Sequence, residues 1–187
     1  MNKKHFIFRA ATPADAPLIA RVVSMALGEE LTRLYCGENA LALLEELARM
    51  EVSQYSYHNV LIAAEGDTAV GAVVGYDGAS LYTLRQPTLA LIKERNGLTI
   101  PITDETQPGE FYIDSLAVLP AWQGQGLGEQ LLENMCAKAF SEGHSRVGLL
   151  VDTTNPRAEQ LYQRLGFKRV NPQTLLTHPM WHLQREK

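Results

Sequence analysis

The chain has 187 residues, 45% of them hydrophobic, and a formal net charge of −4. That length suits one well-buried core and is short for two, so a single domain over residues 1–187 is expected. The acidic balance, with no basic tail or block, argues against a general affinity for nucleic acid or an anionic membrane, so an anionic ligand would need a local site.

In chain order, the N-terminal "MNKKHFIFRAATPAD" has two lysines but only a four-residue mixed apolar patch, and no apolar run reaches the length of a membrane span. A soluble, cytoplasmic protein is expected. "HFIFRAAT" alternates as a strand does, and "TPADAPLIARVVSMAL" reads as a helix with Thr12 as N-cap and Pro13 in its first turn. Residues 38–52 repeat Leu41, Leu44, Leu47 and Ala48 at helical intervals. Two apolar runs separated by Glu65, Gly66 and Asp67 read as a hairpin of the second and third strands. Residues 79–109 then hold a short helical pattern and a polar, proline-punctuated stretch, which reads as an insertion.

A fourth strand at residues 110–120 leads into "WQGQGLGEQLLENM" and a helix with Leu127, Leu131, Leu132, Met135 and Ala139 on one face. "RVGLLVD" reads as a buried fifth strand, and "NPRAEQLYQRLGF" as a short helix opened by Asn155 and Pro156 and closed by Gly166. "HPMWHLQRE" reads as a final strand or one of a pair. This order predicts an α/β (α+β) domain, a mixed sheet with helices on both faces. Cys36 and Cys136 lack CxxC or Cys/His spacing and read as packing thiols in a reducing compartment. His58, His178 and His182 show no ligand spacing with an acid or cysteine cluster, so no metal is expected.

Gly124, Gly126 and Gly128 sit at the mouth of a helix, where glycine is a poor helix former. A helix N-terminus carries free amides and a partial positive charge; glycines there admit left-handed angles and let an anion approach the backbone. The same residues also suit a plain strand-to-helix turn. Neither a Walker loop nor a dinucleotide fingerprint fits, since Gly-Lys-Ser/Thr is absent and the spacing is G-x-G-x-G.

Residues 123–128, "QGQGLG", match the Q/R-x-x-G-x-G/A signature, and with the strand "IDSLAVLPAW" and the helix "NPRAEQLYQRLGF" the chain resembles the GNAT (Gcn5-related N-acetyltransferase) superfamily. The resemblance implies the GNAT fold: a single, mostly antiparallel mixed sheet splayed between its fourth and fifth strands. It implies acetyl-CoA as co-substrate, with the pyrophosphate on the amides of Gly124, Gln125, Gly126, Leu127, Gly128 and Glu129, behind Gln123. Main-chain groups of Leu116, Ala117 and Val118 would pair with the pantetheine arm as an added strand does, and Asn155 matches a position that often contacts the cofactor. Arg157, Arg164 and Lys168 are candidates near the nucleotide end, or solvated surface charges.

The implied reaction is acetyl transfer to a primary amine of a small molecule or a polypeptide, by direct attack in a ternary complex. Tyr162 matches the tyrosine that protonates the departing thiolate; at helical spacing with Ala158, Leu161 and Leu165 it also suits a core aromatic. Asp114 is a candidate general base, or a structural acid at a strand bulge; alternation places Tyr112, Asp114 and Leu116 on one face. Glu110 is a more distant candidate base. The insertion departs from the family's shorter turn and is expected to form part of an acceptor pocket or a lid. Dimers are common in the family, which admits a homodimer. A non-catalytic acyl-CoA-binding sensor on the same fold is the competing reading, and the presence of Tyr162 favours the enzyme.

Overall fold

The computed structural model describes residues 5–187, and the two N-terminal lysines lie outside them. Seven strands occur among the described residues: β1 (Phe6–Ala10), β2 (Val60–Glu65), β3 (Thr68–Asp77), β4 (Phe111–Val118), β5 (Arg146–Asp152), β6 (Lys168–Leu175) and β7 (His178–Glu186). They form one sheet in the order β1-β2-β3-β4-β5-β7-β6. Neighbours are antiparallel except β4 and β5, which run parallel.

Six α-helices are described: α1 (Ala16–Leu27), α2 (Glu29–Cys36), α3 (Ala40–Arg49), α4 (Leu81–Asn96), α5 (Leu127–Ser141) and α6 (Pro156–Arg164). Strand alternation divides the core between the two faces of the sheet. Ile62, Ala64, Ala72 and Val74 pack with Ile19, Val23, Leu44 and Leu47 of α1 and α3 on one face. Ala63, Val73, Phe111 and Ile113 pack with Leu131, Leu132 and Met135 of α5 on the other. Helices therefore cover both faces, as the pattern predicts.

Local chemistry moves several boundaries. Thr12 does not open α1: Pro13–Asp15 form a 3-10 turn, and the Asp15 carboxylate accepts hydrogen bonds from the Thr12 amide at 2.8 Å and its hydroxyl at 2.9 Å. Pro17 has no amide hydrogen and fits only the first turn, so the α-helix starts at Ala16. Helix α2, absent from the sequence reading, is set off by Gly28 and Gly37 at φ +80° and +77°. The expected helix at 38–52 is the shorter α3.

The insertion is more helical than its sequence suggests, since α4 runs 16 residues through Pro87 and buries Leu81, Leu91 and Ile92. That burial outweighs the hydrogen bond lost at proline. The hairpin turn is two residues, Gly66 and Asp67, with Glu65 paired to Thr68. The C-terminal strand is one of a pair, β6 and β7.

Two irregularities position the site. β4 and β5 pair only from Phe111↔Val147 to Ile113↔Leu149, so the β4 edge beyond Ile113 has no strand partner on that side. On its other side the register with β3 slips between Val74↔Ser115 and Gly75↔Ile113, leaving Asp114 as an extra residue in a β-bulge.

Candidate active site

The bulge decides where β4 aims its side chains. Residues paired across a ladder share a face, so Ser115 opposite Val74 and Ala117 opposite Ala72 lie on the α1 side. Leu116, opposite Val73, packs on the α5 side. The expected single face for Tyr112, Asp114 and Leu116 is therefore corrected: the extra residue reverses the alternation, and Asp114 and Ser115 turn the same way. Ser115 Oγ donates to Asp114 Oδ1 at 2.8 Å, and the Tyr76 hydroxyl donates to Oδ2 at 3.0 Å. Burial, reinforced by the charge of Glu105, pushes the Asp114 carboxyl up to about 7 despite those two bonds.

A cavity of about 350 Å³ follows the splay. Asp114, Ser115 and Leu116 form one wall, Leu150 and Asp152 the opposite one, and Asn155, Ala158 and Tyr162 of the α6 end close it. Tyr162 is half-buried, edge-on to Phe167 with ring centroids 6.1 Å apart. Burial raises its phenol pKa, so the ring keeps its proton at neutral pH. Asn155 caps α6, its Oδ1 accepting from the Ala158 amide at 3.1 Å.

Asn155 and Ala158 also line a second cavity, of about 560 Å³, at the glycine loop. Gly124 and Gly126 adopt φ +74° and +76°, angles a side chain disfavours, and Gly126 is the residue from which α5 starts. Gly128 lies inside α5, and a Cβ there would meet no protein atom within 4 Å. The first amides of a 15-residue helix thus open onto unobstructed space. Gln123 braces the loop by donating Nε2 to the Val118 carbonyl at 2.8 Å, and Trp122 Nε1 donates to Glu65 at 2.7 Å. Val118, Gln123, Leu127 and Glu129 line this cavity with the glycines, whereas Ala117 and Gln125 line neither. Arg157 and Arg164 stand at its rim; Lys168 does not.

Beyond Asp114 a recess of about 40 Å³ continues under the insertion. Its walls include Tyr35, Gln54, Tyr55, Ile102, Glu105 and Leu175. Gln54 Nε2 donates to Glu105 Oε1 at 2.8 Å and to the Tyr76 hydroxyl at 3.1 Å. Arg85 of α4 pairs with Glu105 and, at 2.7 Å, with Asp104. The segment is tied to β6: Thr103 Oγ1 donates to the Thr174 carbonyl at 2.7 Å, and Gln173 Nε2 donates to the Asp104 carbonyl at 2.6 Å.

Glu110 is corrected from a distant base to a structural acid. It is 1% exposed and accepts from Thr106 Oγ1 at 2.7 Å and Gln184 Nε2 at 2.7 Å, with His182 Nε2 at 3.0 Å. Burial alone would raise its pKa, but the bonds from His182, Thr106 and Gln184 outweigh it and hold the carboxyl low. A Cβ at Gly148 would stand 2.1 Å from Glu110 Oε2, which explains a glycine in mid-strand. Cys136 and Cys36 are buried, and burial pushes both thiols up to about 12, consistent with packing roles.

Gln54, Tyr76, Arg85 and Glu105 were not flagged by the sequence, and His178 was read there only as a histidine without metal-ligand spacing. His178 lines the main cavity with Nδ1 3.2 Å from Asp152. A strand's alternation says which face a residue takes, and could have flagged Tyr76; it says nothing about which loops meet over that face. No group of three or more His, Cys, Asp or Glu residues suited to a metal occurs among the described residues. No described helix is long and apolar enough to cross a membrane.

The mycothiol acetyltransferase of Renibacterium salmoninarum is 39% identical over 71 residues, covering 38% of this chain and 20% of that protein, so the chain spans a fifth of that relative's length. The thialysine N-epsilon-acetyltransferase of Bos taurus is 28% identical over 171 residues, covering 80% of this chain and 85% of that protein. A crystal structure of an acetyltransferase superposes with a TM-score of 0.79 at 30% identity, covering 96% of this chain and 98% of the other. The family model described as acetyltransferase (GNAT) family matches residues 26–167, and the chain belongs to that family.

Proposed function

We propose that the chain is an acetyl-CoA-dependent N-acetyltransferase that moves an acetyl group to a primary amine by direct attack in a ternary complex. One observation carries this reading. The unpaired β4 edge places Asp114 and Tyr162 on one cavity, and through Asn155 that cavity adjoins the amides opened by Gly124 and Gly126.

These residues fit acetyl-CoA. Left-handed glycines and an unobstructed helix start suit a pyrophosphate, and the β4 edge beyond Ile113, which has no strand partner on that side, suits the amides of a pantetheine arm. Arg157 and Arg164 add positive charge at the rim. Bound there, acetyl-CoA supplies an acetyl group activated as a thioester.

The remaining steps belong to the chain. Asp114, poised at about 7, accepts a proton from an acceptor ammonium and leaves the amine nucleophilic. Tyr162 holds a proton on its hydroxyl that it can donate to a departing thiolate, and its raised pKa keeps the phenol in this protonated, donating form at neutral pH. No enzyme nucleophile is needed, which agrees with the burial of both cysteines. The insertion contributes Ile102 and Glu105 to the acceptor end. Thiol release from acetyl-CoA across an amine panel, with Tyr162→Phe as control, tests this reading. Binding of acetyl-CoA without amine-dependent thiol release would mark a non-catalytic sensor instead.

A further inference from the structure

The walls beyond Asp114 have an unbalanced charge. Across the main cavity and the recess behind it, Asp114, Glu105 and Asp152 are the acids, and among the described residues no lysine or arginine lines either space. Arg85, the cation packed against the recess, is 5% exposed, lines neither space, and is held by Asp104 and Glu105. His178, the histidine on these walls, faces Asp152 at 3.2 Å. An ammonium is welcome here. A carboxylate carried on the same small molecule would meet Asp114 and Asp152 with no lysine or arginine on the walls to pair with it, since Arg85 is already engaged by Asp104 and Glu105.

The roof limits size. The segment carrying Ile102 and Glu105 crosses to β6 and is bonded there through Thr103–Thr174 and Gln173–Asp104, while Leu175 and Leu176 close the recess from the hairpin side. Tyr35, Tyr55 and Tyr112, each at most 5% exposed, form its aromatic sides. Aromatic walls of this kind suit an apolar stem. The free space of about 40 Å³ holds a short stem and no folded-back polypeptide.

We infer that the acceptor is a small primary amine with no carboxylate of its own: an alkyl- or arylalkylamine, as opposed to a free amino acid or a polypeptide. The inference rests on the transferase reading above. Its ammonium sits at Asp114 and its stem enters the recess beneath the insertion.

The test uses matched pairs that differ by one carboxylate, cadaverine against lysine and phenethylamine against phenylalanine, together with a lysine-containing octapeptide. Acetyl-CoA-dependent kcat/KM should be at least about tenfold higher for the amine of each pair, and the peptide should fall at least as far below cadaverine. Equal or reversed rates within both pairs, or a peptide matching cadaverine, would overturn the inference while leaving the transferase reading intact. No thiol release with any acceptor would instead remove the transferase reading and the inference with it. Leu175 borders both spaces at the end of β6, so Leu175→Arg adds the missing cation. That variant should narrow the phenethylamine-to-phenylalanine ratio at least about fivefold, and an unchanged ratio would show that charge does not discriminate.

Discussion

The Tyr76 hydroxyl lies 3.0 Å from Asp114 Oδ2 and 3.4 Å from Glu105 Oε1, so one phenol stands between a strand carboxylate and a carboxylate from the insertion. Tyr76 can donate to one of them at a time, and the shorter contact is to Asp114. Arg85 and Gln54 engage Glu105 from the other side, which leaves Asp114 facing the cavity.

A pH dependence follows. As a base Asp114 must be ionised, so kcat/KM should rise with pH through about 7. Glu105→Gln removes a like charge and should move that rise to lower pH; an unmoved profile would contradict the coupling. Stability has the opposite sign. The folded carboxyl binds its proton more tightly than the unfolded one, so this group's contribution is full below the usual aspartate range and is lost as pH climbs through about 7. Asp114→Asn should therefore lower activity at least about a hundredfold yet raise Tm at pH 8 relative to the parent, as read by calorimetry.

Tyr162→Phe keeps the ring packed on Phe167 and removes only the hydroxyl. The expected loss in kcat is about a hundredfold, with acetyl-CoA affinity and Tm nearly unchanged. Unchanged kcat would place the tyrosine in a packing role alone.

The loop glycines should separate. Gly126→Val puts a branched side chain at φ +76° and costs about 1–2 kcal/mol of backbone strain, and acetyl-CoA affinity measured by titration should fall at least about tenfold. Gly128→Ala sits in helical backbone with room for the methyl, and should stabilise the protein by about 1 kcal/mol. Weaker cofactor binding by that stabilised variant would show that the anion approaches the backbone at Gly128 itself.

Glu110→Ala should act on stability. Leaving His182 and Gln184 without their acceptor is expected to cost about 3 kcal/mol in urea unfolding, with little change in the KM for acetyl-CoA. Because the folded Glu110 pKa is held low, the parent gains this stabilisation above the usual glutamate pKa and loses it as pH falls through the depressed value. The variant should show a flatter acid limb.

What the sequence disclosed was local. The strand before residue 120, the glycines and the helix after them announced themselves through alternation, special backbone needs and 3.6-residue spacing, and they supplied Asp114 and the loop, whereas Tyr162, on the later helix α6, came from the family resemblance. Period-2 reasoning failed at Leu116 because a bulge depends on the partner strand's register, which one strand's sequence does not encode. Gln54, Arg85 and Glu105 were invisible because their meeting depends on how the insertion crosses to β6, through Thr103 and Gln173. Proline 87 hid the length of α4, whose buried Leu91 and Ile92 override it.

The most direct test of the transferase reading is thiol release from acetyl-CoA at pH 8 with small amines, followed by identification of the product by mass. The account predicts amine-dependent thiol release, one equivalent per N-acetylated product, reduced about a hundredfold in Tyr162→Phe. Tight acetyl-CoA binding with no amine-dependent thiol release would contradict it.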